Sequence, residues 1–338
     1  MTRHFIPTVV ALAIAITTPL AASSNEVNVY SYRQPELVQP LFDAFTEATG
    51  INVNVAFLNK GMIERLQAEG SRSPADLVMT VDISRLQALV DAGVTQNVDS
   101  PILKSAIAPQ FRAPDDSWYA LTLRARVVYA SKERVMDGDV TTYEDLADPK
   151  WKGRICMRSG THPYNLALIS SVIAHHGEDA AKAWLTGLRD NQGRKPQGND
   201  RAQVKAVWAG ECDIALGNTY YMGKMLEDSE QSEWANSVRI IFPVFDGAGT
   251  HVNVSGMAMT KAAPNRDNAL RLMEFLASRD AQQIYAEDNY EYPVDLDVPL
   301  SALVAGWGVP KADSISLAEV SSLRPKALKL VQEVDFDR

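Results

Sequence analysis

From residue 27 onward the apolar positions switch between two periods. Runs of β-branched and alternating apolar residues predict strands over 27–32, 51–57 and 76–81. Between them, apolar residues recurring every three to four positions predict helices over 35–49, 60–69 and 84–91, stopped by Gly50, Gly70 and Gly93. This βαβαβ rhythm predicts parallel strands with helices on both faces. The β-rich run 118–131 exceeds an ordinary strand in length and predicts a crossing between two domains. Beyond it the rhythm restarts, with strands over 154–157, 213–216 and 238–244 and helices over 164–175, 180–189 and 201–209. Strand 252–260 returns the chain, and helices over 266–277, 281–288 and 317–331 complete it, with Pro325 breaking or kinking the last.

Two sheets joined by two crossings predict an α/β protein of two lobes, each a mixed, mainly parallel sheet flanked by helices, with a ligand cleft between them. The first lobe is expected over 24–123 and 250–338, the C-terminal helices packing on either lobe, and the second over 124–249. Residues 1–23 read as a signal segment: Arg3, an apolar stretch over 5–16, then small residues that suit cleavage near Ala22 or Ser23. That stretch is too short for a permanent span, and no later run is long enough. The expectation is an exported, periplasmic chain without a permanent membrane anchor.

Charge narrows the partners. The chain has 33 Lys and Arg against 42 Asp and Glu, and losing Arg3 leaves about −10. Such a surface argues against nucleic acid. Cys156 and Cys212 both lie in strand-like runs, so a disulfide and two buried thiols remain open. Catalytic motifs are missing: there is no HExxH, no GxSxG, no phosphate loop and no GxGxxG after a strand. His175 and His176, just before Gly177, fit a helix C-terminus as dipole partners. No enzyme is predicted.

Three segments offer ligand chemistry instead. Tyr220 and Tyr221 follow a strand and the small residues Gly217, Asn218 and Thr219. If Thr219 caps a helix, both phenols lie in its first turn, where the dipole favours a phenolate. Residues 159–164 repeat the grammar of strand, turn and helix and supply Tyr164. On the long strand, Arg124 and Arg126 are spaced by two and point to one face, so both are candidates to reach the cleft, provided each meets an anion or an acidic partner. Three phenolates would neutralise Fe(III), a hard cation, and leave half an octahedral shell for a small oxyanion such as carbonate or bicarbonate. An Arg fork would then hold that anion.

These segments resemble the periplasmic ferric-iron substrate-binding proteins of ABC importers, the two-lobed, transferrin-like type II group. The likeness runs through Val29-Tyr-Ser-Tyr-Arg-Gln-Pro35, Ser73-Pro-Ala-Asp-Leu-Val78, Thr80-Val-Asp82, Leu123-Arg-Ala-Arg126, the stretch from Tyr143 to Gly153, and that from Cys212 to Tyr221. It implies that Tyr164, Tyr220 and Tyr221 bind Fe(III), all from the second lobe, with an anion beside them. It also implies a monomer that delivers its ion to an importer permease. Some relatives place His, or His and Tyr, after the first strand; this chain has Gln34 and Pro35 there, with Tyr32 and Arg33 as the nearest first-lobe cleft candidates. The alternative is a type II binder of a small organic or inorganic anion without iron.

Overall fold

The computed structural model describes residues 25–295 and 297–338; the signal segment lies outside them. Among the described residues, ten strands form the sheet system: β1 (Glu26–Ser31), β2 (Asn52–Phe57), β3 (Leu77–Thr80), β4 (Thr95–Gln96), β5 (Tyr119–Ser131), β6 (Ile155–Cys156), β7 (Ile214–Asn218), β8 (Val238–Ile241), β9 (Val252–Thr260) and β10 (Tyr292–Pro293). Their main path runs β2-β1-β3-β9-β5-β7-β6. Pairing is parallel for β1 with β2 and β3, and for β6 with β7. Every pairing made by the two long strands β5 and β9 is antiparallel, so the parallel character stops where those strands enter.

The strand β5 is wholly buried and belongs to both sheets. Its residues from Tyr119 to Ala125 pair with β9, and those from Arg126 to Ala130 pair with β7. The change of partner falls between Ala125 and Arg126, as its excess length requires. One apolar cluster gathers Val27, Phe42, Leu77, Tyr119 and Met257; a second gathers Val128, Trp151, Leu168, Leu185 and Leu216. Apolar burial at such positions, at about 25 cal/mol per Å², is the main term holding each sheet to its helices.

Local chemistry explains several ends. The helix Pro35–Thr49 starts on Pro and stops at Gly50 in the left-handed region, where its N–H bonds Thr46. The helix Ile83–Asp91 is capped by Asp82, whose carboxylate accepts from the N–H of Arg85. The helical span Pro163–Asp190 is two helices meeting at a kink, where Gly177 takes non-helical angles, φ 80° and ψ 169°. His175 and His176 stand at the end of the first of these, as expected, and each also meets a carboxylate: His175 bonds Asp313 at 2.9 Å and His176 bonds Glu144 at 2.5 Å. The helix expected over 317–331 is two, Leu317–Ser322 and Arg324–Glu333, with Pro325 in the first turn of the second. The latter packs on Pro163–Asp190, and Phe336 joins the second apolar cluster. Cys156 and Cys212 are joined as a disulfide, tying β6 to the segment before β7.

Candidate metal centre

Tyr164 is the second residue of the helix Pro163–Asp190, and Tyr220 and Tyr221 open the helix Tyr220–Glu227 directly after β7. Two strand-to-helix turns thus meet at one edge. The hydroxyls of Tyr164 and Tyr220 stand 3.4 Å apart, and the Tyr220 and Tyr221 rings lie 4.4 Å apart. All three side chains are half-buried and line a cavity of about 570 Å³, together with Tyr32, Arg33, Gln34, Arg85, Arg124, Arg201 and Lys224.

The turns are held from behind. His162 occupies the N-cap position of its helix, its Nδ1 accepting from the N–H of Tyr164 at 3.2 Å, and its ring meets that of Tyr164 edge-on. Burial, then the Arg158 charge, keep this imidazole down to about 3. The carboxylate of Asp337 accepts from Gly160 N–H at 2.8 Å and from Ser159, so the C-terminal tail grips the loop leading to Tyr164. At the second turn, Thr219 is the N-cap residue but does not cap with its side chain. Its hydroxyl accepts from Ala125 N–H at 3.4 Å instead, stitching the turn to β5.

Burial acts against the charge that a helix start favours at these phenols. Burial, then Tyr164 and Tyr221, push the Tyr220 hydroxyl well above the usual phenol range. Burial, then Asp200, push Tyr221 up to about 12. Desolvation disfavours the charged form of both groups, so both phenols are neutral at pH 7. Among the described residues no group of three or more His, Cys, Asp or Glu side chains is placed to hold a metal ion.

The two strand arginines part company. Arg124 lines the cavity, 5.9 Å from the Tyr220 ring, but its fork is engaged by Glu291 at 2.7 Å, Ser255 and the Val81 carbonyl. Arg126 does not reach the cavity. Its guanidinium, 1% exposed, donates to Asp200 at 2.7 Å, Asn165 at 2.7 Å and Asn218 at 3.1 Å. Each arginine has found the acidic partner its burial demanded. Arg33 is likewise buried and pairs with Glu291 at 2.9 Å, while the Tyr32 hydroxyl accepts from Met62 N–H at 3.0 Å.

Pattern reading missed Arg201 and Arg85, which also line the cavity. Arg201 lies 5.8 Å from the Tyr221 ring and, among the described residues, has no carboxylate within ion-pair distance. Arg85 sits 4.6 Å over the Tyr32 ring and pairs with Asp82 at 3.5 Å. Both are surface-type residues on polar helix faces, so only their position marks them.

Residues 40–310 match the family model described as bacterial extracellular solute-binding protein. The Synechocystis iron uptake protein A1 is 44% identical over 92% of this chain and 88% of its own. In three dimensions, Mannheimia haemolytica ferric iron-binding protein A in an open conformation superposes with a TM-score of 0.90 at 48% identity, over 93% of this chain and 99% of that one. The Trichodesmium protein IdiA (FutA), solved in complex with iron and citrate ligands, gives 0.89 at 41% identity, over 92% and 99%. The chain belongs to the bacterial extracellular solute-binding proteins, with the two-lobed type II fold of the ferric-binding members.

Proposed function

We propose that this protein captures Fe(III) outside the cytoplasmic membrane and delivers it to the permease of an ABC importer. The observation that carries the reading is the convergence of Tyr164, Tyr220 and Tyr221 at one wall of the cavity, two of their hydroxyls 3.4 Å apart. Three phenolates match the charge of a ferric ion. Loading releases their protons, so binding strengthens as pH rises. A first lobe of about 24–123 and 250–322 and a second of 124–249 with the helix Arg324–Glu333 would close on the ion about the crossing of β5 and β9. Each lobe then offers part of the surface that a permease reads, and a monomer suffices.

The accompanying anion fits Arg201 and Arg85 better than Arg124, whose fork is already spoken for by Glu291. A cavity of about 570 Å³ exceeds the needs of an ion with carbonate and accommodates a polycarboxylate chelate. The iron and citrate ligands of the Trichodesmium relative support that reading. Titration of the mature chain with ferric ion, with bicarbonate or citrate, tests both ideas. A visible phenolate-to-iron charge-transfer band that Tyr220→Phe strongly weakens is expected. Anion binding with no such band would leave the anion-binder reading in its place.

A further inference from the structure

The helix Tyr220–Glu227 carries a glycine, Gly223, in its interior, where glycine weakens a helix relative to alanine. The reason lies in the opposite lobe. The ring of Tyr290 lies flat on Gly223, so close that a Cβ there would fall inside the ring's van der Waals surface. Around this contact, Lys224 Nζ lies 5.1 Å from the centre of the ring and donates to the Asp288 carbonyl at 3.2 Å, while the Tyr290 hydroxyl donates to Glu227.

Tyr290 is not free to drift. Its φ of 56° is in the left-handed region, which a bulky residue adopts only under constraint from its surroundings. Both chain neighbours supply that constraint. Asn289 donates to the Leu37 carbonyl at 3.1 Å, and Glu291 holds Arg33, Arg124 and Thr122. The next residue, Tyr292, pairs with Leu123 in the first sheet.

We propose that Tyr290 is a positioning residue of the iron site: bolted to the first lobe, it clasps the helix that presents Tyr220 and Tyr221 and sets where their hydroxyls stand. Gly223 is the seat that lets the ring approach. This rests on the ferric reading above, and its role is mechanical, since Tyr290 is not among the residues that line the cavity.

The test is iron release from the loaded mature chain into excess EDTA, followed at the charge-transfer band. Tyr290→Ala and Gly223→Ala are each expected to speed release by about five-fold or more and to shift the band, the scale of one lost aromatic contact. Tyr290→Phe, which keeps the ring, should stay within about two-fold. The double variant should release no faster than Tyr290→Ala, because the clash in Gly223→Ala needs the ring. Gly223→Ala favours the helix intrinsically, so its effect cannot be a loss of helix. Wild-type release rate and band in Tyr290→Ala, or additive effects in the double variant, would overturn the proposal alone. No band in the wild type would overturn the ferric reading and this role with it.

Discussion

Asp200→Asn separates stability from site chemistry, because the two should move in opposite directions. Asp200 is fully buried at the start of the helix Asp200–Trp208. Its carboxylate accepts from Arg126 at 2.7 Å, Arg158 at 3.1 Å and Asn218 N–H at 2.9 Å. The amide keeps the shape but cancels the charge, and it turns one acceptor into a donor facing a guanidinium. Removing one member of a buried pair costs about 3–5 kcal/mol, most of it the stranded partner. Arg126 is that partner. Urea denaturation followed by Trp fluorescence should show a loss of this size.

The same substitution should ease ionisation of the cavity phenols. Asp200 raises both Tyr220 and Tyr221, and its loss leaves the positive charge of Arg126 and Arg158 uncompensated behind them. The pH at which half the ferric band forms, measured against a fixed weak chelator, should therefore fall. An unchanged stability within about 1 kcal/mol, or a midpoint moved to higher pH, would refute the reasoning.

Three other outcomes are expected. Burial raises the Glu291 carboxyl, but Arg33 and Arg124 overcome it and hold the group down to about 2. Its contribution is complete above the ordinary carboxylate pKa, about 4.5, and lost as pH falls from there towards 2. Linkage puts it at about 3 kcal/mol, and Glu291→Gln should flatten the acid limb of a stability-against-pH curve. Deleting residues 336–338 removes Phe336 from its seat on Gly160 and Asp337 from Ser159. Loss of a buried aromatic costs about 3–5 kcal/mol, and the loosened Tyr164 loop should bind iron more weakly in the same titration. Reducing the bond between Cys156 and Cys212, which are 56 residues apart, should lower unfolding free energy by about 4 kcal/mol, seen as an earlier urea midpoint with dithiothreitol.

The amino-acid sequence by itself determined the order of most strands and the longer helices, because each of these carries its own period and its own stop; the short strands β4 and β10 carry none. The strand Val252–Thr260 and the helix Pro35–Thr49 sit where their patterns place them. It also marked Tyr164, Tyr220 and Tyr221, since a phenol after a strand and a tight turn is rare enough to notice. Only the tertiary structure decided who stands beside them. Arg124 and Arg126 share one strand face, yet the change of sheet between them sends one to Glu291 and the other to Asp200. Thr219 occupies its cap position but spends its hydroxyl on β5. Glu291 and Tyr290 carry no local signal, because their importance comes from partners far away in the sequence, Arg33, Arg124 and Gly223, and Arg201 is marked only by its place near the Tyr221 ring. Periodicity reports which face of an element meets a core. Burying a charge or seating a ring depends on which two elements meet, and that is decided only when the lobes are built.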